Sequence, residues 1–224
     1  MYKNGQGVAR DDAQAVAWFR KAADQGEAIG QYNLGLMYDD GRGVAQDDAQ
    51  AVAWYRKAAE QGDALAQNNL GVMSKNGQGI APDDAQAVAW FRKAADQGEA
   101  VAQYNLGLMY KDGRGVAQDY TPAITWYRKA ADQGHAPAQN NLGLMYKNGQ
   151  GIAPDDAQAV AWFRKAADQG EAIAQYNLGL MYKNGRGVAQ DDAQTIAWLR
   201  KAAEQGDADA QEVLQMMEAS GRGR

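Results

Sequence analysis

Acid–base, nucleophilic and metal chemistry all need reactive side chains brought together, and this sequence has few to offer. Its 224 residues hold one histidine, His135, and no cysteine. That removes thiol nucleophiles, disulfides, thiolate metal sites and any metal cluster made from the histidines of one chain. No Ser-His-Asp set, thiol or group of histidines supports catalysis. His135 begins a segment where the matching positions carry Glu or Asp, and it precedes Pro137. It reads as a surface substitution, with pH sensing near neutrality as the sharper alternative. Carboxylates stand near glycines in "DDGRG" and invite a calcium reading. An EF-hand loop needs ligands at alternating positions and a closing Glu, and none of these loops has that order. "GRGVAQ" is not a Gly-x-Gly-x-x-Gly phosphate turn, because its sixth residue is Gln and no strand precedes it. No metal and no cofactor is expected.

The order that the chain does have is a period. Trp18, Trp54, Trp90, Trp126, Trp162 and Trp198 are spaced 36 residues apart. Leu34 and its successors keep the same step, as do Gly26 and its successors. The units align without gaps, so the sequence reads as one array over 1–224. It divides into a partial unit at 1–26, full units at 27–62, 63–98, 99–134, 135–170 and 171–206, and a C-terminal capping unit at 207–224. Residues 1–8 match the tail of a first helix whose body is absent. The uncapped start predicts either a longer array or self-association through that end. Gln215 and Glu218 replace the glycine and tyrosine of the other units, as expected for the solvated outer face of a capping helix.

Each unit holds two helical segments. The first, as in "AIGQYNLGLMY", is closed by Gly41 and Gly43, since glycine adopts the left-handed conformation that ends a helix. The second opens on Asp47 and Asp48, which can cap free N–H groups and complement the helix dipole. It ends with an Arg/Lys pair and a glycine. Ala15, Trp18, Phe19 and Ala22 share one face of it, and the Trp ladder reads as core. In the first helix, Leu34, Gly35 and Tyr38 share the packing face. A glycine in mid-helix costs about 1 kcal/mol relative to Ala, so its return in every full unit implies a close helix crossing. Ile29, Tyr32, Leu36 and Asp40 mark the opposite face. Alanine carries much of the 46% apolar content, which favours packed helices over strands. The net charge of −5 argues against nucleic acid. No apolar run approaches the ~18–20 residues of a membrane span, so no membrane insertion is expected. No signal peptide is read, and cytoplasm, periplasm and secretion all stay open.

The unit "EAVAQYNLGLMYKDGRGVAQDYTPAITWYRKAADQG" resembles the Sel-one-like repeat (SLR), a branch of the tetratricopeptide-like repeats. The Ala-Gln-x-x-Leu-Gly-x-x-Tyr helix, the Gly-x-Gly-Val loop, the Ala-x-x-Trp helix and the Lys-Ala-Ala-x-x-Gly end carry the likeness. The resemblance implies an all-α, right-handed superhelical solenoid of antiparallel helix pairs. It implies a scaffold or adaptor that binds other proteins without chemistry. It also implies that the first helix of each pair lines a concave groove. The lack of cysteine departs from the disulfide-bearing branch of that family.

On that orientation the groove candidates are the positions that vary between repeats. One series is Ile29, Leu65, Val101, Pro137 and Ile173, with Leu36 beside it. Another alternates as Tyr32, Asn68, Tyr104, Asn140 and Tyr176. A third reads Asp39, Lys75, Lys111, Lys147 and Lys183. Tyrosine offers rigid contact area, and the lysines favour an acidic or carboxylate-bearing ligand. Many similar steps suit an extended or repetitive partner. The alternation also has a plain explanation, because a two-repeat block beginning "KNGQGIAPDD" recurs at Lys75 and Lys147. Ser74 replaces a packing tyrosine and predicts a local gap. Tyr120, Thr121 and Pro122 make their unit the most divergent, by special contact or by drift. A passive or near-consensus scaffold without a dedicated ligand is the second reading. A hydrolytic enzyme or enzyme inhibitor is the third, and would need converging carboxylates in a pocket.

Overall fold

A computed structural model describes residues 11–220, which form twelve helices and no strand. In order these are α1 (Asp12–Asp24), α2 (Ala28–Asp40), α3 (Asp48–Glu60), α4 (Ala64–Asn76), α5 (Asp84–Asp96) and α6 (Ala100–Asp112). Then follow α7 (Tyr120–Asp132), α8 (Ala136–Asn148), α9 (Asp156–Asp168), α10 (Ala172–Asn184), α11 (Asp192–Glu204) and α12 (Ala208–Ala219). The chain divides into two compact units after Gln118, so α1–α6 form one and α7–α12 the other. The expectations for residues 1–8, and for 221–224 of the last unit, lie outside the described residues.

Side-chain and backbone caps set the helix ends. The Asp47 carboxylate accepts from the Gln50 N–H at 3.0 Å, and Asp11, Asp83, Asp155 and Asp191 repeat that bond. At α7 the changed sequence keeps the cap, with Asp119 accepting from the Thr121 N–H. Pro122 therefore falls in the first turn, where a missing N–H costs little. At the end of α2, Gly41 adopts φ +65° and returns its N–H to the Met37 carbonyl. Connections of three residues, such as 25–27, turn each odd-numbered helix back against the next.

Large rings sit under Gly35, Gly71 and Gly143. Tyr55, Phe91 and Phe163 are fully buried. A Cβ on Gly35 would lie 2.7 Å from the Tyr55 ring, and a Cβ on Gly71 the same distance from Phe91. At Gly35, Gly71 and Gly143 the glycine is thus the floor that an aromatic from the following helix stands on. Leu34, Leu70, Leu106, Leu142 and Leu178 are wholly buried beside it, with Ala58, Ala66 and Ala94 letting the backbones approach.

One tryptophan, Trp18, departs from the core expected for the ladder. Trp162 is buried, and Trp54, Trp90, Trp126 and Trp198 are half-buried. Trp54 packs on the α1–α2 core, Trp90 on the α3–α4 core and Trp198 on the α9–α10 core. Each of these three rings is a seam to the preceding pair. Its face is covered by the lysine one turn on, as with Lys57 Nζ 3.9 Å from the Trp54 centroid and Lys93 Nζ 4.1 Å from Trp90. Trp18 is 57% exposed and does not belong to the core, because no helix pair precedes α1 among the described residues. Ser74 stands where the other full units carry a tyrosine. It is fully buried, its hydroxyl donates to the Leu70 carbonyl at 2.8 Å, and the Gln86 amide oxygen lies 3.4 Å away.

Candidate partner-binding face

The candidate face is built on the even-numbered helices. Ile29, Leu65, Val101 and Ile173 occupy the second helical position of α2, α4, α6 and α10. They are 73%, 48%, 41% and 54% exposed, which leaves a β-branched or branched apolar group in water at each step. Pro137 is half-buried at the same place in α8. In the first unit the row is continuous over three successive helix pairs. Helical spacing puts Tyr32 and Leu36 on the same side of α2 as Ile29. Both are half-buried, because they also pack on the core of the α3–α4 pair. Tyr32 stands 6.0 Å from the Tyr55 ring. Tyr176 and Leu180 pack likewise on the α11–α12 core.

The Tyr/Asn alternation separates into two structural roles. Tyr32, Tyr104 and Tyr176 are half-buried and keep exposed surface. Asn68 and Asn140 are buried. Asn68 Oδ1 accepts from Asn105 Nδ2 at 3.0 Å, and Asn140 Oδ1 accepts from Asn177 Nδ2 at the same distance. These two asparagines join successive even-numbered helices and offer a partner little surface. The tyrosine hydroxyls sit in an acidic setting. Burial first, then Asp63, Glu99 and Asp40, raises the pKa of Tyr32. Burial, then Asp209, Asp207 and Glu212, does the same at Tyr176.

The Lys row lies at the far end of the same helices. Lys75, Lys111, Lys147 and Lys183 are half-buried in the last turns of α4, α6, α8 and α10. Lys111 pairs with Asp112 at 3.3 Å. Lys147 has a lowered pKa, from burial and from Arg186 beside it. In the first repeat the matching Asp39 accepts from the Tyr55 hydroxyl at 3.1 Å, and burial raises its pKa.

Two polar systems that link the repeats were not read from the sequence. One is a glutamine relay. Gln67 is buried, donates to the Ala59 carbonyl at 3.0 Å and accepts from Gln97 Nε2 at 2.7 Å. Gln31, Gln139 and Gln175 repeat the arrangement with Gln61, Gln169 and Gln205. The other is the loop arginine. Arg114 and Arg186 each grip an Asp of the preceding odd-numbered helix through two bonds, to Asp84 and Asp156. Arg42 bonds Asp12 at 3.2 Å. The signal for both was a constant step of 30 residues between partners, visible only across repeats. His135 caps α8, its Nδ1 accepting from the Ala138 N–H at 3.2 Å. Among the described residues no group of His, Asp and Glu is placed to hold a metal ion, and no helix is long and apolar enough to cross a membrane.

Comparison with known proteins gives this face a context. The Sel1 repeat family model matches residues 1–27, 28–63, 64–99, 100–135, 136–171 and 172–207. Among solved structures, a protective antigen of uropathogenic Escherichia coli with an SLR fold superposes with a TM-score of 0.92 at 45% identity. It aligns over 98% of this chain and 47% of its own, so this chain spans about half the antigen's length. A Sel1 repeat protein from Oxalobacter formigenes gives a TM-score of 0.84 at 35% identity, over 92% of this chain and 84% of its own. An immunity protein from Pseudomonas aeruginosa, at 22% identity and a TM-score of 0.57 over 93% of this chain and 81% of its own, shares the fold alone. No curated protein matches the chain. The architecture is an all-α repeat solenoid.

Proposed function

The chain belongs to the Sel1 repeat family, and from that premise we propose that it is an adaptor without catalysis that binds a protein or peptide on the face of its even-numbered helices. Proteins of this family are generally interaction scaffolds. One observation carries the reading to a place on this chain: the exposed apolar row of Ile29, Leu65 and Val101 on three successive first helices. Full burial of such a side chain is worth about 1.5–3 kcal/mol, and these begin partly covered, so each contributes roughly 1 kcal/mol to a partner that dries it. The row is held on helices that are already folded, so little ordering entropy opposes binding. Tyr32 and Tyr104 add amphipathic rings beside it. Asn68 and Asn140 contribute through the spacing of the helices, since their side chains are engaged with Asn105 and Asn177.

The competing reading is a passive scaffold with no dedicated ligand. Affinity capture from the native host with the wild-type chain, and with the variant Ile29→Asp/Leu65→Asp/Val101→Asp, separates the two. An adaptor retains one or a few proteins reproducibly and loses them with the variant, while the variant keeps its helical circular dichroism. Equal capture by both chains would reject this face, and no specific capture would favour the passive scaffold.

A further inference from the structure

We propose that the segment bound at the N-terminal ends of α2, α4 and α6 is cationic as well as apolar, with Lys or Arg residues interleaved among its apolar side chains. This rests on the adaptor reading above and commits it to a partner of one charge. Ile29, Leu65 and Val101 each follow a carboxylate by two residues: Glu27, Asp63 and Glu99, the N-cap residues of the three helices. The caps use only part of these groups. Asp63 accepts from the Ala66 N–H at 2.8 Å and Glu99 from the Ala102 N–H, while Glu27 makes no side-chain capping bond. Each helix start offsets about half a unit charge through its dipole, which leaves a negative remainder at every step. Asp63 and Glu99, from two different repeats, both help to raise the pKa of Tyr32 in a third, after burial.

Among the described residues no ion pair joins a cation to Glu27, Asp63 or Glu99. Lys75 lies ten residues beyond Leu65 on α4, which is about 15 Å at the helical rise, and charges are screened over ~8–10 Å at ordinary salt. Lys111, similarly placed on α6, pairs with Asp112. Lys57 and Lys93 reach the near end of the stack, but their Nζ atoms sit over the Trp54 and Trp90 rings on the odd-numbered helices. An apolar segment lying on Ile29, Leu65 and Val101 would take water from carboxylates two residues away. A neutral or acidic segment leaves them desolvated and unpaired, which is costly, whereas Lys or Arg offsets the loss. The Lys row, which favours an acidic ligand, stands too far along the helices to set the charge here.

Fluorescence anisotropy with two labelled synthetic peptides, one alternating Leu and Lys and one alternating Leu and Glu, tests this on the full chain. The Leu/Lys peptide is expected to bind, more weakly as salt is raised, and the Leu/Glu peptide is not. Glu27→Gln/Asp63→Asn/Glu99→Gln should weaken binding roughly tenfold, with three exposed ion pairs each giving about a factor of two. Asp11→Asn/Asp47→Asn/Asp83→Asn makes the same charge change at the other end of the helix pairs and keeps the caps, so it should leave affinity unchanged. Equal loss from both charge variants, or no binding of the Leu/Lys peptide, overturns the proposal. If the Leu/Glu peptide binds and Ile29→Ser/Leu65→Ser/Val101→Ser abolishes it, the charge assignment fails and the adaptor face stands. If the serine variant alters neither peptide, the face itself is wrong.

Discussion

Gly71 sits in the middle of α4, where helix propensity alone says that alanine is better by about 1 kcal/mol. The packing says the reverse. A Cβ at Gly71 would lie 2.7 Å from both Cδ1 and Cε1 of Phe91. Carbon atoms prefer ~3.5–4.0 Å, so the ring or the helix must move by about 0.8 Å or more. Phe91 is fully buried and cannot swing into solvent. Overpacking of this kind costs roughly 1–3 kcal/mol, and two ring atoms in contact place it in the upper part of that range. After the propensity gain, Gly71→Ala is expected to lose about 1–2 kcal/mol, or ~2–4 °C in Tm for each kcal/mol at this chain length. Gly179→Ala supplies the internal comparison. Its Cβ would meet Leu199 Cγ and Cδ2 at 2.9–3.0 Å, a milder overlap than the 2.7 Å under the Phe91 ring. That variant should lose less stability than Gly71→Ala. Thermal unfolding by circular dichroism, checked by urea titration, reads both. A Gly71→Ala chain as stable as wild type, or more so, would refute the claim that the repeated glycine exists for ring packing.

Replacing Gln67 with Leu removes a buried amide that serves both the Ala59 carbonyl and Gln97. It should cost about 1–3 kcal/mol in urea unfolding, and a double-mutant cycle with Gln97→Leu should show coupling. Arg114→Gln breaks an exposed two-bond ion pair with Asp84. Its loss should be at most about 1 kcal/mol at low salt and should vanish at high salt. Asp39 has its pKa raised above the ordinary 3.8 chiefly by burial, so the folded chain holds that proton more tightly than the unfolded one. That contribution is complete below pH 3.8 and is lost as pH rises through the folded value. Asp39→Asn should therefore gain stability over wild type at neutral pH, with the gain disappearing in acid.

The period and the caps were legible because they depend on neighbours in sequence. Asp47 and Gly41 act within a few residues of themselves, and a single unit is enough to read them. Gly35 was legible as a close crossing, though not its contact with Tyr55, since the ring comes from the next helix. The glutamine relay escaped for the same reason: Gln31 reads as one more residue of a packing face until Gln61 is brought to it. Trp18 shows the opposite failure. Helical spacing marks it as core along with the other tryptophans, but burial of each ring depends on the pair before it. At the candidate face, Tyr32 and Asn68 align in sequence and differ in space. Asn68 is drawn inward by its bond to Asn105, whereas Tyr32 packs on Tyr55 with part of its ring uncovered. The row at Ile29, Leu65 and Val101 was legible as a groove candidate from its variation between repeats. Its weight comes from exposure, which no periodicity could supply.

Photo-crosslinking in the native host tests the binding face most directly. A photoreactive residue at Leu65 on α4 is compared with one at Ala89 on α5, which is also exposed. The adaptor account predicts a discrete covalent adduct from position 65 and none from position 89. Adducts of equal yield from both positions, or from position 89 alone, would contradict it.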